Sequence, residues 1–285
     1  MKKINFTFAT MVYNHEKYIL NHLNSITYLI EKYEHLISKI NLIIIDDNST
    51  DNSVIIIEEW LRKNYNYFNE INFIKNDENM GINFNIVELM KIIQTEKFKI
   101  LGGDDFYNDN NIFKVDFNKF DVLFSPIITY DGNMYCYREL DARTKNKKMV
   151  ARTILYGLGG ILTPGVFLSK KIIKNPNLQR YLLNFKNFED APMFYYIFFK
   201  IEHEIRYIRS DKVFVVYRNY SGISNNYVLN KESRQSFRKD AKNFRENFKK
   251  THFSFIKRLE IKILKYIYNY NFNKCSFKKR PPSKI

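Results

Sequence analysis

Two adjacent carboxylates, Asp104 and Asp105, directly follow a short apolar run that begins at Phe98. Like charges this close raise each other's pKa unless a positive charge lies near them. A divalent cation such as Mg²⁺ is the usual partner, because it binds oxygen ligands and often shares them with substrate phosphates. Gly102 and Gly103 precede the pair, and residues without a side chain would let a ligand approach the backbone. An exposed turn, in which Asp is common, is the alternative that this segment alone leaves open.

Two earlier apolar runs also end in polar clusters. Residues 6–12 lead into Tyr13-Asn14, and residues 43–45 lead into Asp46-Asp47. Helix-like stretches separate the three runs, and this alternation predicts an open parallel sheet. Ligands of such sheets bind outside the carboxyl ends of the strands. We therefore expect the three polar clusters to meet at one edge of a sheet.

The hydrophobic spacing predicts the elements that must position these clusters. Strands are predicted at residues 4–12, 41–46, 71–75 and 98–102. Helices are predicted between them, at 15–37, from Asp51 to about 64, and from Gly81 to about 95. The second half is more mixed, with a strand at 121–130, a helix at 149–157, a helix from Glu189 to Phe199, one or two strands at 205–217, and a basic helical stretch from about 228 to 270.

The positive charge is concentrated in the C-terminal segment. The whole chain carries a formal charge of +16, and residues 231–285 hold 17 basic and 4 acidic residues, or +13 of that total. Residues 1–230 are therefore nearly balanced at +3. Such asymmetry indicates an acidic partner for the segment, either a membrane or a nucleic acid. Aromatic residues at helical spacing within it equally fit a helix that packs on the body, and the two interpretations are compatible.

Cysteine usage and the N-terminal sequence bear on the compartment. Cys136 and Cys275 give neither metal-ligand spacing nor a disulfide framework, which fits a reducing, cytosolic setting. The sequence that follows Met1 lacks the apolar stretch and cleavage site of a signal peptide. The chain contains no run of about 18 apolar residues. A dinucleotide oxidoreductase is disfavoured, because no G-x-G-x-x-G follows the first strand.

Six segments together resemble the motifs of inverting family-2 glycosyltransferases of the GT-A fold, bacterial enzymes that build surface polysaccharides. In chain order they are Tyr13-Asn14, Asp46 to Asp51, Asn79-Met80-Gly81 with Asn85, Gly103-Asp104-Asp105, Phe188-Glu189-Asp190, and Tyr217-Arg218 with Ser221 and Ser224. The match runs in order over most of the chain. The resemblance implies an α/β fold with a Rossmann-like, mostly parallel sheet flanked by helices. It also implies a catalytic domain at residues 1–228, with residues 229–285 as a basic helical extension.

The resemblance further implies a metal-dependent, inverting transfer of a sugar from a nucleotide-diphosphate donor, with a UDP-sugar expected, to a hydroxyl. The implied catalytic base is Asp190, and the implied ligands of Mn²⁺ or Mg²⁺ are Asp105 and Asp104. Contacts to the donor are expected from Thr10, Tyr13, Asn14, Asp46, Asp47, Asn79, Gly81, Asn85, Asp104 and Arg218. In this reading Asp46 or Asp47 accepts a hydrogen bond from the nucleotide base, Tyr13 stacks on it, and Arg218 contacts the diphosphate.

The implied acceptor is a surface polysaccharide, a lipooligosaccharide or a lipid-linked glycan. We then expect the protein to be cytoplasmic and peripheral on the inner face of the inner membrane, with residues 229–285 at the anionic surface. No nucleic acid is expected as a partner, and the oligomeric state stays open. The nucleotide sugar, the acceptor and the linkage are also left open.

Three positions depart from the family pattern. Gly102 or Gly103 stands where the metal motif often has a first Asp, so Asp104 and Asp105 carry that role alone. Asn48 replaces a glycine, and Asn also adopts left-handed turns. A frequent His of the last motif is replaced near Tyr220.

Each candidate site also has a structural interpretation. Glu189 and Asp190 fit the capping of a helix N-terminus, where carboxylates are favoured. Asp46 and Asp47 fit a loop and cap before the next helix, and Arg218 fits a surface ion pair. Structural or surface roles are expected for the histidines, which are His15, His22, His35, His203 and His252.

Two further functions compete with sugar transfer. One is nucleic-acid binding through the basic aromatic segment, although no zinc-finger, RRM or helix-turn-helix signature supports it. The other is non-catalytic binding of a nucleotide sugar.

Overall fold

A parallel four-stranded sheet forms the centre of the fold. The computed structural model describes residues 3–138, 163–219 and 231–252. The strands are β1 (Ile4–Val12), β2 (Ile37–Asp46), β3 (Glu70–Lys75) and β4 (Lys97–Gly102), in the order β3-β2-β1-β4. All neighbours pair in parallel, so the carboxyl ends of β1, β2 and β4 lie at one edge. The predicted α/β fold with its parallel sheet is confirmed.

Helices cover both faces of this sheet, as right-handed crossovers require. They are α1 (Ile19–Lys32), α2 (Ser53–Asn64) and α3 (Ile82–Ile92). Side chains of a strand alternate between faces. Leu42 and Ile44 therefore join the core beneath α1 and α2, whereas Ile43 and Ile45 join a second core with Val87 and its neighbours on α3.

Two smaller mixed sheets complete the body. Their strands are β5 (Phe106–Tyr107), β6 (Val122–Phe124), β7 (Ile127–Tyr130), β8 (Tyr135–Arg138), β9 (Val166–Leu168), β10 (Tyr207–Arg209) and β11 (Val215–Arg218). One sheet has the order β10-β6-β9 and the other β5-β11-β7-β8. The later helices are α4 (Lys170–Ile173), α5 (Pro176–Leu182), α6 (Asp190–Tyr195) and α7 (Lys231–His252). A π-helical turn, Tyr196–Lys200, directly follows α6.

The main boundary error concerns the predicted helix at residues 15–37. Helix α1 is shorter because the backbone first turns at His15, whose carbonyl accepts from the N–H groups of both Tyr18 and Ile19 at 2.8 and 2.9 Å. After α1 a 3₁₀ turn, Glu34–Leu36, leads directly into β2, which starts four residues earlier than predicted.

The single strand predicted at 121–130 is two strands. Pro126 has no N–H to donate to a ladder, and the Ser125 hydroxyl bonds to the carbonyl of Lys212 at 2.7 Å, so the pairing stops between β6 and β7. The helix predicted at 149–157, the region of Tyr220 to Ser224, and the basic stretch beyond residue 252 lie outside the described residues.

Helix α7 packs on the body through one face. Its Ala241 and Phe244 are buried in a small core with Phe188, Ala191 and Tyr195. For residues 237–244 this contact supports the packed-helix interpretation of the basic segment. Within the described part of the chain, no helix combines the length and apolarity needed to cross a bilayer.

Candidate active site

A cavity of about 420 Å³ opens at the edge where the strands of the central sheet end. Eight of the predicted site residues line it: Tyr13, Asn14, Asp47, Asn79, Asn85, Asp104, Asp105 and Asp190. They come from six separate stretches of sequence, so the fold brings together segments up to 177 residues apart. Four other predicted donor contacts do not line it: Thr10, Asp46, Gly81 and Arg218.

The loops after β1 and β2 hold each other through side-chain hydrogen bonds. The Asn14 N–H donates to Ser49 Oγ at 2.9 Å, and Asn14 Oδ1 accepts from the Thr50 N–H at 2.8 Å. Asp51 Oδ2 accepts from the Glu16 N–H at 2.9 Å. Asn14 adopts a φ of 55°, a left-handed conformation that Asn tolerates better than most residues. Asn14 therefore shapes the loop beside the cavity.

Asp46 and Asp47 have different surroundings. The Asp47 carboxylate accepts three hydrogen bonds, from Asn76 Nδ2 at 2.9 Å and from the N–H groups of Met80 and Gly81 at 2.8 and 2.9 Å. Asp46 Oδ2 accepts from the Ser49 N–H at 2.9 Å, and its buried Oδ1 has no hydrogen-bond partner among the described residues. Of the two residues, Asp47 borders the cavity. Its carboxylate also holds the turn before α3.

That turn depends on Gly81. Its φ is +89°, and a Cβ there would lie 2.7 Å from the backbone oxygen of Lys186. Asn85 Nδ2 donates to the Gly81 carbonyl at 3.0 Å, and Asn85 Oδ1 accepts from Asn76 at 2.8 Å. Gly81 and Asn85 therefore stabilise this turn, and of the segment 79–85 the residues Asn79 and Asn85 border the cavity.

At both glycines before the acidic pair, side chains of the protein occupy the space that a Cβ would need. A Cβ at Gly103 would lie 2.8 Å from Ile19 Cδ1, and one at Gly102 would lie 2.6 Å from Asp104 Oδ1. The expectation that Gly103 opens the backbone to a ligand is therefore wrong, because Ile19 and His15 fill that space. Gly102 borders the cavity, beneath the Asp104 carboxylate.

The acidic pair fits a cation. Asp105 is 2% exposed, and burial, followed by the charge of Asp104, raises the pKa of its carboxyl well above the ordinary value. The Arg218 N–H partly offsets this by donating to Asp105 Oδ1 at 2.8 Å. Among the described residues, no group of three or more His, Cys, Asp or Glu side chains could hold a metal ion. A cation bound to the pair would therefore complete its shell with water or substrate oxygens, as Mg²⁺ commonly does.

Arg218 supports the pair from behind. Its guanidinium carbon lies 5.1 Å from the ring centroid of Tyr18 and 4.7 Å from that of Phe106. One guanidinium nitrogen donates to the Asp104 carbonyl and the other to Asn21 Oδ1 at 2.6 Å. Arg218 is only partly exposed and donates inward, which favours a supporting role over a surface ion pair, and its contact with the diphosphate stays a prediction. Arg218 holds the loop of the acidic pair in place.

Thr10 also lies behind the cavity. It is fully buried, and its Oγ1 is 2.9 Å from Nε2 of His22, whose Nδ1 is 2.8 Å from the Asp105 carbonyl. Burial lowers the pKa of His22 to about 4, so this ring is neutral at pH 7. Thr10 and His22 therefore support Asp105 from inside, which corrects the expectation that Thr10 touches the donor.

Lys99 is a feature that the sequence reasoning missed. It borders the cavity but is buried, with its Nζ donating to the carbonyls of Ile100 and Val166 at 2.8 and 2.9 Å. Burial lowers the pKa of its ammonium group to about 7. The available signal was a lysine in the middle of the apolar strand β4.

Glu189 and Asp190 form a second acidic pair in the cavity wall. Burial raises the pKa of Glu189 to about 7. Burial, together with the charge of Glu189, raises the pKa of Asp190 well above its ordinary value. Helix α6 begins at Asp190, but the side chain of the N-cap residue Glu189 makes no capping bond, and Asp190 Oδ1 is buried without a hydrogen-bond partner among the described residues. The arrangement therefore suits proton transfer better than helix capping.

Comparison with known proteins gives the family and the fold. The family model described as "Glycosyl transferase family 2" matches residues 7–172. No curated protein matches the chain.

Solved structures of TarS from S. aureus are similar in fold. TarS 1–349 in complex with UDP-GlcNAc aligns at 19% identity with a TM-score of 0.54, covering 81% of this chain and 62% of that one. Its complex with UDP aligns at 17% identity with a TM-score of 0.53, covering 90% and 77%. This chain thus spans about three fifths of the length of the first TarS chain, and at these identities the likeness shows the fold alone.

Proposed function

Since the family match extends over more than half of its length, this chain belongs to glycosyl transferase family 2, and from that premise we propose a specific reaction. The chain transfers a sugar from a nucleotide-diphosphate donor to an acceptor hydroxyl, with inversion at the anomeric carbon. One observation carries the proposal: Asp104 and Asp105 face the same cavity as Asp190. One cavity therefore offers a site for the leaving diphosphate and a site for the attacking hydroxyl.

At the donor end, Asp104 and Asp105 would hold Mn²⁺ or Mg²⁺. The bound ion supplies positive charge to the departing diphosphate as a Lewis acid. Tyr13 borders the cavity beside Asp47, so its ring is available to stack on the nucleotide base. We take the donor to be a UDP-sugar, because the similar TarS chains are in complex with UDP-GlcNAc and with UDP.

At the acceptor end, Asp190 is the general base. Its carboxylate takes the proton of the acceptor hydroxyl while that oxygen bonds to the anomeric carbon and the bond from that carbon to the diphosphate oxygen breaks. Approach from the side opposite the diphosphate gives inversion. A raised pKa makes an ionised carboxylate more basic, and a base matched to the working pH contributes about 10²- to 10⁴-fold to the rate. Burial raises the pKa of both carboxyls, that of Glu189 to about 7, which is the direction that a general base requires.

For the acceptor we propose a surface polysaccharide, a lipooligosaccharide or a lipid-linked glycan at the cytoplasmic face of a bacterial inner membrane. Support comes from α7, where Arg238, Lys239 and Lys242 are exposed on the side away from the body. Near an anionic bilayer each such residue contributes about 1 kcal/mol. Replacing all three by Ala should therefore weaken binding to vesicles containing phosphatidylglycerol about 100-fold, as measured by flotation. Unchanged flotation would contradict the role of α7 at the membrane.

The reaction is tested by screening nucleotide sugars with the full chain. We expect one UDP-sugar to raise the melting temperature in the presence of Mn²⁺ and to be slowly hydrolysed without acceptor. Asp190→Asn should keep the stabilisation and lose hydrolysis by about 10²-fold or more, whereas the exposed control Glu202→Gln should change neither.

Three other outcomes would count against the proposal. Stabilisation by a nucleotide sugar without turnover under any condition would favour the non-catalytic binder. A salt-sensitive gel shift with single-stranded nucleic acid, without stabilisation by any nucleotide sugar, would favour the nucleic-acid alternative. Hydrolysis by Asp190→Asn at the wild-type rate would refute the assignment of the base.

A further inference from the structure

The segment before the second acidic pair is held by a carboxylate of α7. We call residues 183–189, between α5 and α6, the 183–189 loop. Asp240 Oδ2 accepts hydrogen bonds from two consecutive backbone N–H groups of this loop, from Lys186 at 2.8 Å and from Asn187 at 3.0 Å. Hydrogen bonds to an ionised acceptor are stronger than those between neutral groups. The loop is therefore attached to α7 only two to four residues before Glu189 and Asp190.

Apolar packing aligns α7 for this contact. Phe237, Asp240, Ala241 and Phe244 recur at helical spacing and lie on one face of the helix. The ring of Phe188, in the loop, contacts Phe237 and Phe244 with centroid distances of 5.3 and 5.8 Å. Phe237 also borders the cavity. Helix α7 thus forms part of the wall of the site instead of a separate appendage.

On its other side the same loop is joined to the donor end of the cavity. Lys186 Nζ donates to the Asn79 carbonyl at 2.8 Å, and the Lys186 carbonyl accepts from the Asn83 N–H at 3.2 Å. The neighbouring N–H of Gly81 is held by Asp47. Hydrogen bonds therefore run from Asp240, through the loop, to the turn that Asp47 holds. These hydrogen bonds therefore connect the loop that precedes Asp190 to the donor end of the site.

We propose that Asp240 is a positioning residue for the reaction. By holding the N–H groups of Lys186 and Asn187, it fixes the loop that presents Asp190 to the acceptor hydroxyl. The inference rests on the proposed function in one respect, namely that Asp190 acts as the base. The sequence is consistent with a specific contact for this carboxylate, because residues 231–285 are strongly basic and Asp240 is one of only four acidic residues among these 55.

Amide hydrogen exchange tests the contact without any need for activity. In the wild-type chain the amides of Lys186 and Asn187 should exchange slowly. In Asp240→Ala they should exchange about tenfold faster or more, whereas the exposed control Asn243→Ala should match the wild type. Fast exchange of both amides in the wild type would overturn the proposal even if Asp240→Ala does not fold. Equal exchange in the two variants would also overturn it.

Kinetics test the consequence. A displacement of about 1 Å costs roughly 10²-fold in rate, so Asp240→Ala should lower kcat by about 10- to 100-fold while KM for the donor stays within about threefold. Asp240→Asn keeps an oxygen that accepts both bonds, and it should restore kcat to within about fivefold of the wild type. A kcat for Asp240→Asn as low as that of Asp240→Ala would contradict the role of the hydrogen-bond acceptor.

The two arms separate this inference from the proposed function. A wild-type chain that hydrolyses no nucleotide sugar refutes the proposed function, and with it the role of Asp240 in catalysis. An active wild type with Asp240→Ala as active as the exposed control Asn243→Ala refutes only the inference.

Discussion

Arg218→Lys separates a supporting residue from a ligand of the diphosphate. The guanidinium group donates to the Asp104 carbonyl and to Asn21 Oδ1 at the same time, between the rings of Tyr18 and Phe106. A lysine ammonium is a single point donor on a flexible chain, and it cannot reproduce this fork. The backbone bond from residue 218 to Asp105 stays in the variant.

The cost follows from the contacts that are lost. A hydrogen bond to a charged group contributes about 1.5–3 kcal/mol, and an aromatic contact of the cation contributes about 0.5–1 kcal/mol. Losing one bond and part of the stacking should lower the free energy of unfolding by about 2–4 kcal/mol. For a chain of 285 residues, whose unfolding entropy is about 0.6 kcal/mol/K, that corresponds to a fall in melting temperature of roughly 3–7 °C.

Differential scanning calorimetry without nucleotide measures this effect, and titration with UDP in the presence of Mn²⁺ measures binding. Arg180→Lys, at an exposed position of α5, is the matched control and should leave both unchanged. A variant as stable as the control that binds UDP about 100-fold more weakly would refute the reasoning. In that case Arg218 would contact the diphosphate directly, as the family resemblance implies.

Three further results are expected. The pKa of Glu189 is about 7 in the folded chain, against an ordinary value of 4.5. The free energy of unfolding therefore falls as pH rises between these two values, because the folded chain resists the ionisation of this carboxyl. Glu189→Gln should therefore flatten this part of the stability profile in urea titrations and stabilise the chain by about 1–3 kcal/mol at pH 8; an unchanged slope would contradict the raised pKa. Gly81→Ala should destabilise the fold by about 2 kcal/mol or more, since a positive φ alone costs about 1–2 kcal/mol and the new Cβ meets the Lys186 carbonyl; an unchanged melting temperature would show that the turn relaxes freely. Asp105→Asn should remove the Mn²⁺ dependence of UDP binding in calorimetric titrations, and equal metal dependence in variant and wild type would exclude this carboxylate as a ligand.

The sheet and the meeting of its polar clusters were predictable because they depend on local patterns. Strand β1 has the predicted bounds, since its alternating residues face two cores and its end is marked by Tyr13-Asn14. The carboxylates at residues 104–105 were predictable from their position after a strand, and Asp190 from its position at the start of a helix. The confirmed family resemblance rests on the same local segments.

The supporting contacts were not predictable, because their partners are distant in sequence. His22 bonds to the carbonyl of a residue 83 positions away, and Arg218 reaches Asn21 across 197 positions. Spacing within a segment carries no information on such pairs. Thr10, a polar residue interpreted as a ligand, therefore supports a residue that does face the cavity.

The most direct test of the central claim is a crystal structure of the chain with Mn²⁺ and UDP, with the metal located from its anomalous signal. We expect a manganese peak within about 2.3 Å of a carboxylate oxygen of Asp104 or Asp105. We also expect diphosphate oxygens on the same ion and the uracil near Tyr13. A manganese ion or a UDP molecule bound elsewhere, with both carboxylates turned away from it, would contradict the account.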